Sequence, residues 1–351
     1  MKEKRNRDLN SARDAKKDEF YTQLSDIEKE LRHYKQHFSG KVVYCNCDDP
    51  RVSNFFTYFS YNFEKLGLKK LITTCYKSKE RDLFSENKSE QAVYLEYEGD
   101  KSGNRVPDLD EIEVRPLQGD GDFRSEESIA LLQQADIVVT NPPFSLFREY
   151  IKQLYDYEKK FLIIGNLNAA TYKEVFKLIK SDQLWFGPSI RSGDREFGVP
   201  DEYPLNAAGT RVDEMGKKYI RVKGVRWFTN LDFAERHEEL ILYRKYTPED
   251  YPKYDNYDAI EVSKTAEIPA DYTGAMGVPI TFLDKYNPNQ FEILGITDRD
   301  NNSGLKTKEY TDADAENHSD LNRRGAIRVG AALKSTYARL LVRKKDSSNE
   351  N

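Results

Sequence analysis

Asn141-Pro142-Pro143-Phe144 gathers in four residues what is needed to activate an amine attached to a flat aromatic ring. The lone pair of such an amine is delocalised into the ring, which makes the nitrogen a poor nucleophile. Two hydrogen-bond acceptors at its N–H groups draw it towards a tetrahedral geometry and stabilise the positive charge that develops, a form of electrostatic preorganisation. The Asn141 side-chain oxygen and the Pro142 carbonyl supply two acceptors. The paired prolines, Pro142 and Pro143, stiffen the loop and remove competing backbone donors. Phe144 offers a face on which a base taken out of its stack can rest. No general base of unusual pKa is needed, because the proton can leave after transfer. Taken alone, the tetrapeptide also reads as an ordinary turn.

The surrounding elements favour the chemical reading. The tetrapeptide directly follows Ile137-Val138-Val139, a wholly apolar run that reads as a buried strand. Lys41-Val42-Val43-Tyr44-Cys45, Leu71-Ile72-Thr73-Thr74-Cys75-Tyr76 and Phe161-Leu162-Ile163-Ile164 read the same way. Helical spacing separates them. Leu24, Ile27, Leu31, Tyr34 and Phe38 recur at steps of three and four, with a capping box at Ser25-Asp26-Ile27-Glu28 and Gly40 at the end. Ser53 is expected to cap a helix that carries Phe55, Phe56, Phe59, Phe63 and Leu66 and stops at Gly67. A short helix starts at Ser125 with Glu126 and Glu127 in its first turn. Phe147, Ile151 and Leu154 mark the helix after the tetrapeptide, and Thr171 with Glu174 is expected to cap the next. Residues 92–97 and 112–114 alternate, and either pair as a hairpin or join the main sheet. Such alternation predicts an α/β fold with an open, mostly parallel, Rossmann-like sheet whose last strand is antiparallel. These sheets bind ligands at the carboxyl ends of their strands. The junctions at Asp48, Asp122 and Asn141 are therefore where chemistry is expected.

Beyond about residue 187 the texture changes. Residues 187–223 are polar and rich in glycine, proline and charge, and read as a long loop region. Residues 225–228 and 240–243 resemble the last two strands of the sheet. Short apolar runs at 280–283, 291–296, 327–329 and 337–342 suggest a smaller α+β region, and 298–324 is long and polar. The expected organisation is a basic N-terminus over 1–17, a catalytic domain over 18–248, a recognition or accessory domain over 249–345 and a tail over 346–351.

The chain has 351 residues, a net charge of -5 and three cysteines. That charge argues against a nonspecific nucleic-acid coat but leaves room for local basic patches. No apolar run approaches the ~20 residues of a membrane span, and no secretory signal is visible. Three cysteines make no disulfide framework, and Cys45-Asn46-Cys47 lacks zinc-ligand spacing. A cytoplasmic, monomeric protein without metal is expected.

The chain resembles the EcoRI-type adenine-specific DNA methyltransferases over most of its length. The likeness is carried by the tetrapeptide and by Asp18-Glu19-Phe20-Tyr21-Thr22, Cys45-Asn46-Cys47-Asp48-Asp49-Pro50, Ser53-Asn54-Phe55-Phe56, Asp122-Phe123 and Gly277-Val278-Pro279-Ile280-Thr281-Phe282-Leu283-Asp284. It implies transfer of a methyl group from S-adenosylmethionine to adenine N6 in double-stranded DNA, and suggests GAATTC as the sequence read. It also implies a set of contacts. Phe20, Tyr21 and Thr22 would meet the methionine part of the cofactor. Asp48 or Asp49, with Pro50, would hold its amino group, and Asp122 and Phe123 its adenine. Carboxylates suit that role because the amine and sulfonium are cationic. Two departures stand out. The first turn lacks the usual glycine-rich signature, and the second strand ends without an acidic residue, so the ribose contact is unassigned. DNA contacts are expected from Arg191, Arg195, Arg211 and Lys217, with Lys218, in the 187–223 region and from Arg323 and Arg324, with Trp227 or Phe228 as a wall for the base. The absence of a Pro-Cys pair sets aside cytosine C5 chemistry. Adenine in RNA, a protein glutamine amide and a non-catalytic DNA-binding protein are the alternatives.

Overall fold

The computed structural model describes residues 20–47, 53–74 and 92–345, apart from 105, 109, 120, 192, 201, 202, 204, 206–208, 299–301 and 303. The chain divides into two units, 1–169 with 187–232, and 170–186 with 233–351.

The first unit opens with strand β1 (Tyr21–Thr22), helix α1 (Leu24–Leu31) and strand β2 (Val42–Cys45). Helices α2 (Asn54–Tyr61) and α3 (Phe63–Leu66) and strands β3 (Lys70–Thr74), β4 (Val93–Tyr97) and β5 (Ile112–Pro116) follow. Next come α4 (Glu126–Gln134), β6 (Ile137–Thr140), α5 (Phe147–Asp156) and β7 (Lys160–Asn166). Helix α6 (Lys173–Lys180) and strand β8 (Trp185–Phe186) fall in the second unit, and the chain then returns through β9 (Asp194–Val199), β10 (Thr210–Val212), β11 (Lys218–Lys223) and β12 (Val225–Thr229).

Seven strands of the first unit lie side by side in the order β5-β4-β3-β2-β6-β7-β12. The central four, β3, β2, β6 and β7, are parallel, and β12 and the β4–β5 hairpin flank them antiparallel. The ambiguous segments 92–97 and 112–114 thus do both things: they pair with each other and extend the sheet. β2 and β6 are buried along their whole length, as apolar runs in a parallel sheet covered on both faces should be. Trp227 and Phe228 show that covering directly. Neighbours on a strand point to opposite faces; the Trp227 ring meets Phe55 of α2 at 6.2 Å and the Phe228 ring meets Phe147 of α5 at 4.9 Å.

Local signals hold where side chains act on their own backbone. The Ser53 hydroxyl accepts from the Phe55 and Phe56 amides, the Ser125 hydroxyl from the Ser128 amide, and Gly67 takes the left-handed cap at φ 64°. Others differ. Ser25 caps nothing: α1 begins at Leu24 after Gln23, and it ends at Leu31. Tyr34 and Phe38 are nevertheless buried, carried by a 3-10 turn at Lys35–His37. Thr171 lies in a 3-10 turn, and α6 starts after Tyr172 without a side-chain cap.

The largest difference is at 187–223, expected as loop. It folds with β1 into a four-stranded antiparallel sheet, β1-β9-β11-β10. β10 and β11 are joined by a tight turn in which Asp213 Oδ1 accepts from the Met215 and Lys217 amides and Gly216 takes φ 83°.

In the second unit, β13 (Ile260–Glu261), β14 (Met276–Pro279), β18 (Arg339–Lys344) and β15 (Phe291–Ile296) form a sheet in that order. Helix α7 (His318–Arg323) precedes a hairpin of β16 (Ala326–Val329) and β17 (Ala332–Ser335). Asn256, fully buried, ties them together by donating to the Leu321 and Arg324 carbonyls and accepting from the Ala326 amide. Two expected strands are absent. Residues 240–243 form none, and Ile241 is largely exposed, while Ile280–Lys285 is a 3-10 helix.

Gly165 on β7 marks a close approach of helix α5 to the sheet. A Cβ there would lie 2.8 Å from Phe147 Cζ and 3.0 Å from Phe228 Cε2. Gly165→Ala is expected to cost about 1–3 kcal/mol by overpacking, read as a lower midpoint in urea denaturation; an unchanged midpoint would show that α5 can move away freely.

Candidate active site

The site is assembled where β2 and β6 end. The Thr140 hydroxyl, at the last position of β6, donates to the Asn46 carbonyl just beyond β2, and the Tyr150 hydroxyl of α5 donates to Asn46 Oδ1. Asn46 is 3% exposed, so these are buried bonds that fix the two strand ends side by side. The next residue, Cys47, takes φ 76°, a left-handed conformation that a non-glycine side chain adopts only when its surroundings demand it. Asp48-Asp49-Pro50, expected as a turn, lies outside the described residues.

Asn141 comes directly after Thr140 and is 6% exposed. Its Nδ2 donates to the Phe20 carbonyl at 2.6 Å, whereas its Oδ1 is buried with no partner among the described residues. A buried acceptor left open is costly, about 1–3 kcal/mol, and a bound donor would relieve that cost. Pro142 is buried, Pro143 and Phe144 are half-buried, and Phe144 begins a 3-10 turn, Phe144–Leu146, that leads into α5. The Phe20 ring meets Phe144 edge-on at 5.8 Å and Phe197 of β9 at 5.7 Å.

Phe20 is itself positioned from two sides. β1 pairs with β9, Tyr21 opposite Gly198 and Thr22 opposite Phe197. Asn54, the first residue of α2, donates through Nδ2 to the Thr22 carbonyl at 2.7 Å. Thr22 is buried, and its Oγ1 has no partner among the described residues. An open hydroxyl at Thr22 and an open amide oxygen on Asn141, whose nitrogen is bonded to Phe20, form the kind of lining that a polar ligand completes. Thr73 Oγ1, near the end of β3, is also buried and open, while the Thr74 hydroxyl is bonded to Tyr44.

Phe123 belongs to the same assembly. Its ring meets Tyr150 at 5.0 Å and its carbonyl accepts from Gln153 of α5. Asp122 is held by Arg124, whose Nε and backbone N–H reach Oδ1 and whose second guanidinium nitrogen reaches Oδ2 at 2.7 Å. The Arg124 hydrogen bond keeps the Asp122 carboxyl below the usual carboxylate range, hence ionised. Any ligand amine at Asp122 would share it with Arg124.

The residues expected at DNA fall into different settings. Arg191 is exposed, with Nε on the Pro188 carbonyl. Arg195 is half-buried on β9, and Lys217 is exposed. Arg211 makes two hydrogen bonds to Glu196 and lies 4.3 Å over the Tyr219 ring. Trp227 is 0% exposed; packed in the core of the sheet, it has no surface to present to a base. Arg323 and Arg324 belong to the second unit, where Arg324 pairs with Asp298 at 2.6 Å. Among the described residues no group of His, Cys, Asp and Glu is arranged to hold a metal ion, and no helix is long and apolar enough to cross a membrane.

Asn46, Asn54, Thr140 and Tyr150 were not singled out from sequence as site residues. Asn46 and Asn54 lie in stretches that carry the family likeness, and Tyr150 carried a physical signal, a polar tip on the buried face of an amphipathic helix directly after the tetrapeptide. Tyr150→Phe removes that tip alone and leaves Asn46 Oδ1 without this donor. The expected cost is about 1–3 kcal/mol of stability, measured by chemical denaturation; no loss would mean that Asn46 is satisfied without Tyr150.

The chain can now be set beside known proteins. The family model described as "Adenine-specific methyltransferase EcoRI" matches residues 8–345. The Type II methyltransferase M.EcoRI of Escherichia coli is 54% identical over 301 residues, covering 84% of this chain and 92% of that protein. The Type II methyltransferase M.MgeORF184P of Mycoplasma genitalium is 40% identical over 292 residues, covering 82% and 85%. M.MpnI of Mycoplasma pneumoniae, another Type II methyltransferase, is 40% identical over 293 residues, covering 82% and 84%. With a match across nearly its whole length, the chain belongs to the EcoRI family of adenine-specific methyltransferases.

Proposed function

We infer that the protein methylates N6 of adenine at a fixed sequence in duplex DNA, as the modification arm of a Type II restriction–modification pair. The mixed sheet is read as a Rossmann-like methyltransferase sheet, and the second unit as the part that helps to recognise the target. The observation that carries the reading is the open, buried Oδ1 of Asn141 at the end of β6, in a family described as adenine-specific. That description also favours adenine over a glutamine amide.

The account of the reaction rests on this chain's own groups. Adenine N6 lies inside the duplex and is reached by turning the nucleotide out of the helix. Asn141 Oδ1 and the Pro142 carbonyl accept the two N6 hydrogens, which orients the nitrogen lone pair away from them and shares the charge that grows on N6. Phe144 stacks on the base, braced from behind by Phe20. S-adenosylmethionine, when bound, supplies a methyl group activated by its sulfonium. Phe20, Tyr21, Thr22, Asp122 and Phe123, with Asp48, Asp49 and Pro50, would hold it; the open Thr22 hydroxyl suits its ammonium-carboxylate end and the ionised Asp122 carboxylate the amine of its adenine. Water is kept from the acceptors by the burial of Asn141 and Pro142.

The test is methylation of plasmid DNA followed by base-resolution mapping. One short sequence should be modified, at adenine N6 alone, and the map shows whether that sequence is GAATTC. Marks on cytosine, or none, would overturn the reading. Asn141→Ala should lower single-turnover transfer at least about 100-fold while DNA affinity stays near the wild-type value; full activity would remove Asn141 from the mechanism.

A further inference from the structure

Asn141 Oδ1 and Thr22 Oγ1 are not alone in lacking partners. In the same region, Arg195 Nε is buried without one among the described residues. The sheet register says where Arg195 points. Thr22 and Ile220 both sit opposite Phe197, and Arg195 is two residues before Phe197 on β9; residues two apart on a strand share a face. That face leads from Phe197 to Phe20 and from Phe20 to Phe144 by ring contacts of 5.7 and 5.8 Å. Arg195 therefore projects on the side of the catalytic tetrapeptide, about 7 Å along the strand from Phe197. The opposite face carries Glu196, Arg211, Tyr219 and Arg221. There Arg211 has its counter-charge in Glu196.

Arg195 has none among the described residues: its one hydrogen bond runs from a terminal guanidinium nitrogen to the Asp194 carbonyl at 3.1 Å. A half-buried guanidinium without an anion is unfavourable by itself, and its planar fork matches the oxygens of a phosphate. We propose that Arg195 binds a backbone phosphate flanking the everted adenine. This rests on the reading of the protein as a DNA methyltransferase. The contact would hold the displaced nucleotide by its backbone while Asn141 and Phe144 act on its base, positioning without reading sequence. The register thereby separates Arg195 and Lys218, which share the face of Phe197, from Arg211 and Arg221 on the other, and of the first pair Lys218 already donates to the Tyr203 carbonyl. Arg195 is a positioning residue.

The experiment uses the full chain, with S-adenosylhomocysteine present, binding a duplex that contains the mapped sequence over a series of salt concentrations. Arg195→Gln should reduce the slope of log Kd against log salt by about 1, and Arg195→Lys should restore it. Arg115→Gln removes the same charge from β5 at the far edge of the sheet and should leave the slope as it was. A single methylphosphonate beside the target adenine should weaken wild-type binding about tenfold or more, but weaken Arg195→Gln by less than about twofold. S-adenosylmethionine affinity without DNA should be the same in all variants. An unchanged slope in Arg195→Gln, an equal slope loss in Arg115→Gln, or an equal methylphosphonate penalty in wild type and Arg195→Gln would overturn the proposal. So would weaker cofactor binding by Arg195→Gln without DNA, because the anion at Arg195 would then be the cofactor's carboxylate. Failure of the wild type to methylate plasmid DNA would instead overturn the reading on which the proposal rests.

Discussion

A primary amide can turn either of its ends to a substrate, and the bond from Asn141 Nδ2 to the Phe20 carbonyl decides which end is presented. With the donor committed to a backbone acceptor, the oxygen is the end left open. Flipping the amide would place two oxygens against each other and leave the N–H donors unmatched, at an expected cost of about 1–3 kcal/mol for each buried group left unsatisfied. Accepting from an exocyclic amine requires the oxygen. In the reaction proposed above, the end that Asn141 presents thus depends on a carbonyl that lies 121 residues away in sequence.

Much of the first unit can be understood as the means of holding that carbonyl in place. A two-residue strand is too short to be stable by itself. β1 borrows stability from β9, from the Asn54 amide on its Thr22 carbonyl and from the Phe20–Phe197 contact. On the other side of the bond, β6 is fixed against β2 through Thr140, Asn46 and Tyr150. Asn54 begins α2, the first helix described after β2, so the segment beyond β2 also supports the short strand that follows the Phe20 carbonyl. Thr22 Oγ1, Asn141 Oδ1 and Arg195 Nε are among the buried polar atoms that have no partner in the described residues, and these are the atoms to which we assign ligands. Such a departure from full hydrogen-bond satisfaction is one that functional sites often show.

Parts of this were legible in the sequence. Ile137-Val138-Val139 and Val42-Val43-Tyr44 are apolar because both faces of their sheet are covered, and Ser53, Ser125 and Gly67 act on adjacent backbone. The strands of 194–223 were hidden for the converse reason. One face of that sheet carries Glu196, Arg211 and Arg221, so charge masks the alternation with Phe197, Ile220 and Val222. Leu240-Ile241-Leu242-Tyr243 misled in the other direction, being apolar without being a strand. The tetrapeptide suggested the chemistry we propose for it, but the orientation of its amide was invisible. Its partner is a main-chain carbonyl, and a main-chain carbonyl has no residue type. Trp227 looked available to DNA only because sequence does not show that Phe55 covers it.

The most direct measurement is a high-resolution structure of the protein with its DNA target and a cofactor analogue that cannot donate methyl. The account predicts the target adenine turned out of the duplex, N6 within about 2.7–3.2 Å of Asn141 Oδ1, and Asn141 Nδ2 still on the Phe20 carbonyl. An adenine left in its stack, or an Asn141 amide turned with its nitrogen towards N6, would contradict it.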